Sequence, residues 1–476
     1  MQFRQVIFFG FPMVHTIKST DYAVINPTTG EVVDRFDCHS EGEIQCRLEQ
    51  ASACFPEWST VGFAHRADCF KKLSACLREK SEELAGTMAL EMGKPLTQGR
   101  TEVEKCAFVC EYYATHAESF LHPYEVKTEM SESRVVYQAL GSIFAIMPWN
   151  FPLWQVFRAA APILMAGNTM ILKHAPRVPN TANSILDLFD LAGFPDGALV
   201  NVFASNEQAS RIIAERSVKG VCLTGSGAAG RAVASEAGRH LKPVLLELGG
   251  SDPYIVLEDA DLELAAEKTV FSRMLNNGQT CISAKRFIVV DSVAAEFTDR
   301  VQAALEQQVM GDPLEAGVTQ GPMAREDLCR NLHDQVERSI GSGARLICGG
   351  SLPKGAGFFY PATLLTGVKP GMAAFEEELF GPVGSIITVR STEEAVALAN
   401  QSSYGLGAAV FTRDIDLGRD LATSHIHAGT CVVNDFVRSD PRLPFGGIND
   451  SGFGRELGVE GIRQFVNIKT VAVGCK

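Results

Sequence analysis

Apolar and polar positions repeat with two periods along almost the whole chain. Stretches with an apolar residue every three to four positions, the spacing of one helix face, give way to short apolar runs of strand length. The first periodic stretch opens at Ser40 with Glu43 three positions later, a capping-box pair that predicts a helix running toward Trp58. Amphipathic stretches over 64–85 and 101–120 predict two further helices, and residues 134–137 turn to a strand pattern. Ile143-Phe144-Ala145-Ile146 is apolar on both faces, as a buried strand requires, and Pro148 ends it.

The units then become regular. Strands are predicted at 170–172, 199–203, 220–223 and 244–246. Between them lie helices at 183–191, stopped by Gly193, at 207–215 and at 231–238. A second alternating set runs from Tyr254 to about Asn434, with helices at 262–275 and 293–307 and a strand at 287–290. This alternation predicts parallel sheets flanked by helices, an α/β architecture of two doubly wound domains. Neither an internal repeat nor a low-complexity segment interrupts it.

Composition narrows the class. At 476 residues the chain has room for two or three domains, and its 46% hydrophobic content is that of a globular protein. A net charge of −13 argues against nucleic acid or an anionic membrane as a partner. The 13 cysteines are odd in number and follow no repeated spacing, which speaks for a reducing, cytoplasmic setting rather than a disulfide framework. Cys106 and Cys110 fit one buried helix face, and His425 and His427 have no matched ligands nearby, so no metal site is expected. No run approaches the roughly 18 apolar residues that a spanning helix needs. The apolar segment 6–14 follows Arg4, but Pro12 interrupts it and no small-residue cleavage site follows. It reads as a loosely ordered terminus or an upstream start.

Two residues stand out chemically. Cys281 closes the run Asn277-Gly278-Gln279-Thr280-Cys281, where small residues would leave a thiol free to swing. Glu247 closes the apolar run Val244-Leu245-Leu246 and would sit at a strand end. A nucleophile with a separate general base is the minimum equipment for covalent catalysis followed by hydrolysis. Gly225-Ser226-Gly227-Ala228-Ala229-Gly230 follows a strand and opens a helix, the context of a phosphate-binding loop. In a standard dinucleotide fold an acid about 20 residues further on holds the ribose. Glu247 lies 22 after Gly225 and so competes for that role as well.

Seven motifs occur in one order: Pro148-Trp149-Asn150-Phe151-Pro152; Lys173; Leu223-Thr224-Gly225-Ser226; Glu247-Leu248-Gly249-Gly250; Gly278-Gln279-Thr280-Cys281; Glu378-Leu379-Phe380-Gly381-Pro382; and Pro444-Phe445-Gly446-Gly447. Together they resemble the aldehyde dehydrogenase superfamily, most closely its bacterial succinate-semialdehyde dehydrogenases, from about residue 25 to the end. The resemblance implies a cofactor-binding domain of residues 1–119 and 140–249, a catalytic domain of 250–449, and oligomerisation segments at 120–139 and 450–476. These segments would be a small β hairpin and its partner strand, and the assembly a homodimer or homotetramer. It implies that Cys281 attacks the aldehyde carbon, that Asn150 and the Cys281 N–H hold the oxyanion, and that Glu247 activates the hydrolytic water rather than facing the ribose. Lys173 would bind the adenosine ribose and Ser226 would touch the pyrophosphate, with Trp149 and Gly225 also among the cofactor-binding residues. Glu378 would hold the nicotinamide ribose and Phe380 would pack on the nicotinamide. NAD-preferring relatives often carry an acid three positions after the lysine. Here Pro176 stands there, so NAD and NADP are both expected, with His174 a candidate phosphate contact.

For the substrate, Arg158 lies nine residues after Trp149, where an arginine in succinate-semialdehyde dehydrogenases binds the carboxylate. Ser439, with Arg438 and Arg442, would complete the pocket. A second arginine found in some of these enzymes six residues before the nucleophile is Leu275 here, which keeps open a broad-specificity enzyme for other small semialdehydes. A CoA-acylating relative would often lack Glu247. A silent relative would have lost Cys281, Asn150 or Glu247.

Overall fold

The computed structural model describes residues 22–474, so segment 6–14 lies outside the described residues. Four helices open the fold after a two-stranded ribbon of Tyr22–Ile25 and Val32–Phe36. The first, Glu41–Thr60, starts at the capping box: Ser40 Oγ accepts from the Glu43 N–H, and the Glu43 carboxylate accepts from the Ser40 N–H. The stretch 64–85, predicted as one helix, is two: Phe63–Glu79 and Ser81–Met92. The chain leaves helical geometry at Lys80 (φ −93°, ψ 14°). Glu82 and Glu83 then sit in the first turn of the new helix, where its dipole favours acids. The long helix Leu96–Phe120 follows and buries Cys106 and Cys110 on one face.

The first sheet has six strands in the order Gly452–Phe453, Val244–Glu247, Val218–Thr224, Ser142–Met147, Thr169–His174, Leu199–Asn201. All neighbours are parallel except Gly452–Phe453, which is antiparallel to Val244–Glu247. From Ser142–Met147 the chain winds first toward Leu199–Asn201, then back to Val218–Thr224 on the other side. The strand order therefore reverses there, and the crevice beyond the strand ends at such a switch point is where open α/β sheets bind ligands.

The second sheet repeats the scheme with seven strands: Arg345–Cys348, Thr363–Thr366, Val383–Val389, Ala284–Val290, Asp252–Val256, Gly407–Phe411, Thr430–Val433. Only Arg345–Cys348 is antiparallel. Strands with both faces covered are continuously apolar: Ile143, Phe144 and Ala145 in the first sheet and Phe287, Ile288 and Val289 in the second are all buried.

Val466–Val473 pairs antiparallel with Glu132–Ala139, which pairs with Tyr124–Glu125. Tyr137 and Val466 of this small sheet pack against the main core, while Ile468 and Val473 on it are exposed.

Candidate active site

The ends of the first sheet deliver five of the predicted residues. Ser142–Met147 ends just before Trp149 and Asn150, Val218–Thr224 just before Gly225 and Ser226, and Val244–Glu247 ends on Glu247 itself. The second sheet supplies Cys281, reached through the helix Leu262–Met274 and a tight turn, Leu275–Gly278. In that turn Asn276 and Asn277 hold positive φ (58° and 55°), which asparagine tolerates better than most residues. Their side chains fix it. Asn277 Nδ2 donates to the carbonyls of Gly93 (2.8 Å) and Pro322 (3.0 Å), and its Oδ1 accepts from the Gly321 N–H (2.8 Å). Asn276 Nδ2 donates to the carbonyls of Asn150 (2.6 Å) and Gln279 (3.1 Å).

Gly278 corrects the expectation of an uncrowded loop. Its φ is +76°, and a Cβ there would lie 2.3 Å from the Gly381 carbonyl carbon. Glycine is required because backbone presses on it, and the thiol sits on a braced turn. Lys285 braces the far side, with Nζ donating to the Cys281 (2.7 Å) and Thr280 (3.0 Å) carbonyls. Burial pushes the Cys281 thiol up to about 12, against the nearby charges of Arg158 and Lys285.

Asn150 and Glu247 both meet this loop. Asn150 Nδ2 donates to the Gln279 carbonyl at 3.0 Å, two residues before Cys281. Beyond Glu247, Gly250 packs so closely that a Cβ would lie 2.8 Å from the Cys281 carbonyl oxygen. Glu247 is 2% exposed, and neither of its carboxylate oxygens has a hydrogen-bond partner among the described residues. Burial, with Glu456 nearby second, raises it well above the usual carboxylate range. An unpaired, desolvated carboxylate beside a thiol is poised to take a proton.

Around this centre lie groups able to hold a dinucleotide. Lys173, at the end of Thr169–His174, is buried without a carboxylate in ion-pair reach among the described residues, and burial lowers it to about 8. Ser226 caps the helix Gly227–Arg239, whose first N–H groups suit an anion. Gly230 allows that helix to approach Leu248, since a Cβ would sit 2.7 Å from its side chain. The Glu378 carboxylate accepts from the Gly250 N–H (3.0 Å) and lies 3.5 Å from Lys285 Nζ. Trp149 and Phe380 meet edge to face with centroids 5.9 Å apart. An unpaired ammonium, an open helix end and a carboxylate on one rim fit the phosphates and ribose hydroxyls of NAD or NADP. His174 is not on that rim. It is fully buried, with Nε2 2.8 Å from the Pro152 carbonyl, and desolvation lowers it to about 4.

A cavity of about 1050 Å³ opens beside the Cys281 turn, with Phe151, Leu275, Phe436, Ser439 and Lys105 in its walls. Ser439, expected in the substrate pocket, lines this cavity. Arg158 does not line this cavity. Its helix, Trp154–Met165, is buried on every side, and the guanidinium pairs with Glu456 and lies 4.9 Å from the Phe445 ring centroid. Two buried carboxylates, Glu456 and Glu247, need a counter-charge there, and Arg158 supplies it. Arg442 is turned to Asp440 (2.7 Å) at the surface, while Arg438 lines the cavity but pairs with Asp435. Glu456, Lys285 and Lys105 escaped the sequence reading, because no local pattern separates a buried charge from a surface one.

The chain is similar to known proteins along nearly its whole length. The sequence model of the aldehyde dehydrogenase family matches residues 14–471. A Synechocystis protein named probable succinate-semialdehyde dehydrogenase, NADP(+), is 47% identical over 94% of this chain and 99% of its own. An Escherichia coli protein named succinate semialdehyde dehydrogenase, NAD(P)+, Sad, is 44% identical over 96% and 99%. The crystal structure of succinic semialdehyde dehydrogenase from Streptococcus pyogenes with NADP+ superposes with a TM-score of 0.93 at 36% identity, covering 95% of this chain and 100% of that one.

Proposed function

The chain belongs to the aldehyde dehydrogenase family, and on that premise we propose that it oxidises succinate semialdehyde to succinate with NADP or NAD as hydride acceptor. The reading is carried by one arrangement: the braced Cys281 loop packs against both the Asn150 side chain and the strand end bearing the unpaired Glu247.

The steps follow from the charges. Cys281 rests as a thiol and gives up its proton to solvent water as the sulfur adds to the aldehyde carbon. The carbonyl oxygen becomes an oxyanion held by Asn150 Nδ2 and the Cys281 N–H, a donor pair of which each member is typically worth ~3 kcal/mol. The bound cofactor supplies the acceptor for the hydride that leaves this thiohemiacetal carbon, which makes a thioester on Cys281. Glu247 then takes a proton from water, the hydroxyl adds to the thioester, and the carboxylic acid departs as the Cys281 thiolate is expelled. The presence of Glu247 favours hydrolysis over transfer to CoA.

Lys173 is assigned to the adenosine ribose, Ser226 to the pyrophosphate, Glu378 to the nicotinamide ribose and Phe380 to the nicotinamide, with Trp149 and Gly225 lining the cofactor site. Pro176, following the lysine strand, brings no negative charge against a 2′-phosphate, so NADP is admitted beside NAD. Residues 1–119 with 140–249 act as the cofactor-binding unit and 250–449 as the catalytic unit, a division that the two separate sheets support. The exposed sheet of 124–139 and 466–473 supports a homodimer or homotetramer. No disulfide joins the cysteines among the described residues, which suits a cytoplasmic enzyme. Leu275 and the generous cavity favour a second reading in which longer or bulkier oxo acids are also accepted.

The test is direct: purified protein with succinate semialdehyde should reduce NADP or NAD and release succinate one for one. Failure with both cofactors overturns the reading.

A further inference from the structure

The cavity beside Cys281 is largely apolar and aromatic, yet it holds one cation without an acid of its own. Lys105 lies on the helix Leu96–Phe120, and its Nζ donates to Ser439 Oγ at 2.8 Å and stands 4.2 Å from the centroid of the Trp154 ring. Ser439 Oγ also accepts from Trp154 Nε1 at 3.2 Å, so serine and indole form one seat for the ammonium. The acids around it are taken. Glu102, one turn earlier, pairs with Lys94 and accepts from the N–H groups of Leu153 and Trp154. Glu104 pairs with Arg78 and Asp440 with Arg442, each at 2.7 Å, and Glu267, also in the wall, pairs with Lys268 at 2.9 Å. Arg158, on the facing helix, is committed to Glu456.

We propose that Lys105, seated on Ser439 and Trp154, binds the carboxylate of the oxo-acid substrate and sets the preference for it over neutral aldehydes. This rests on the proposed aldehyde oxidation and names the residue that selects its substrate. An ammonium has three donors, and the Ser439 bond leaves others for a ligand. Against apolar walls and away from bulk water the ion pair is stronger than in open solvent. A neutral aldehyde gives this cation nothing to bind.

The desolvation of the ammonium makes selection pH-dependent. Desolvation, then the charge of Arg158, lowers Lys105 to about 8, against Cys106, Glu102 and Asp440, which favour its charged form. The ammonium is present below that pH and lost above it, so KM for the oxo acid should rise on the alkaline side.

The experiment compares kcat/KM for succinate semialdehyde and butanal in wild type, K105M and K105R across pH 6–10. The expected result is a fall of about 10–100-fold in the succinate semialdehyde-to-butanal ratio for K105M, mostly through KM, with loss of the alkaline KM rise. K105R should keep most of the ratio. If K105M does not fold, K105Q is read in its place. An unchanged ratio, or equal loss on both aldehydes, overturns the Lys105 assignment alone, provided wild type prefers the oxo acid. Wild type that oxidises butanal but not succinate semialdehyde overturns the substrate reading, and this assignment with it.

Discussion

At the scale of single residues, the site turns on a carboxylate that is hard to ionise. Glu247 is raised by burial and by Glu456, so its base form is scarce at low pH and grows as pH rises. Glu247→Gln should therefore leave a burst of reduced cofactor near one per site, followed by slow turnover, measured by stopped flow. The steady-state rate of wild type should climb with pH, and that of the variant should not. If the burst itself vanishes, Glu247 serves mainly to activate the thiol. Arg158 makes a contrasting case. As a substrate clamp it would be needed only for carboxylate-bearing aldehydes. Paired with Glu456 beneath Phe445, it instead neutralises two buried acids. Removing one partner of a buried pair typically costs ~3–5 kcal/mol. Arg158→Ala should lower the melting temperature and reduce turnover of succinate semialdehyde and butanal in parallel, read by calorimetry and two-substrate kinetics. Selective loss on succinate semialdehyde would return the arginine to the pocket. The sequence places Arg158 nine residues after Trp149, but it carries no sign of which acid the side chain will meet. Glu456 lies some 300 positions away, and only the fold brings the two together.

At the scale of elements, the turn before Cys281 shows why local pattern reads position better than cause. Gly278 was legible as a needed glycine, yet the need is close backbone contact, visible only when the Gly381 segment is in place. A strand end, a capped helix and a phosphate loop are written locally, in Glu247 after an apolar run, Ser40 with Glu43, and the glycines of 225–230. The break at Lys80 was not legible, because apolar periodicity continues across it and only the backbone departs from the helix. Lys105 was hidden for a related reason: on a helix, a lysine facing a cavity and one facing solvent occupy equivalent polar positions. Gly278→Ala combines a left-handed φ with a 2.3 Å approach to backbone. Strain of this kind costs ~1–3 kcal/mol before any shift of the turn. The variant should be destabilised in denaturant titration. It should also show slower alkylation of Cys281 by iodoacetamide, because the loop that carries the thiol must move. Wild-type alkylation and stability together would show that the turn is more tolerant than its packing suggests.

At the scale of the whole molecule, two sheets each deliver part of one centre, which explains why the motifs are spread from residue 148 to 447 and yet meet. Parallel strands end on one side of a sheet, so residues just past successive strands converge whatever their separation in sequence. The small sheet obeys a different logic. Val466–Val473 is paired on one side with Glu132–Ala139, over eight residues, and Ile468 and Val473 are 61% and 48% exposed. A long strand with exposed apolar side chains and a free edge invites pairing with another copy. The three-stranded sheet meets the main core at its margin, through Tyr137 and Val466, so removing its last strand should leave the core folded. Truncation after Phe465 removes that strand, keeps the buried Phe465 and lays bare the edge of Glu132–Ala139. Light scattering behind size exclusion should show a defined oligomer for the full chain and a smaller or heterogeneous species for the truncated one, with far-UV dichroism nearly unchanged. A full chain that runs as a monomer would rule out assembly through this edge. A truncated chain that keeps the full-length stoichiometry would move the interface elsewhere on the molecule.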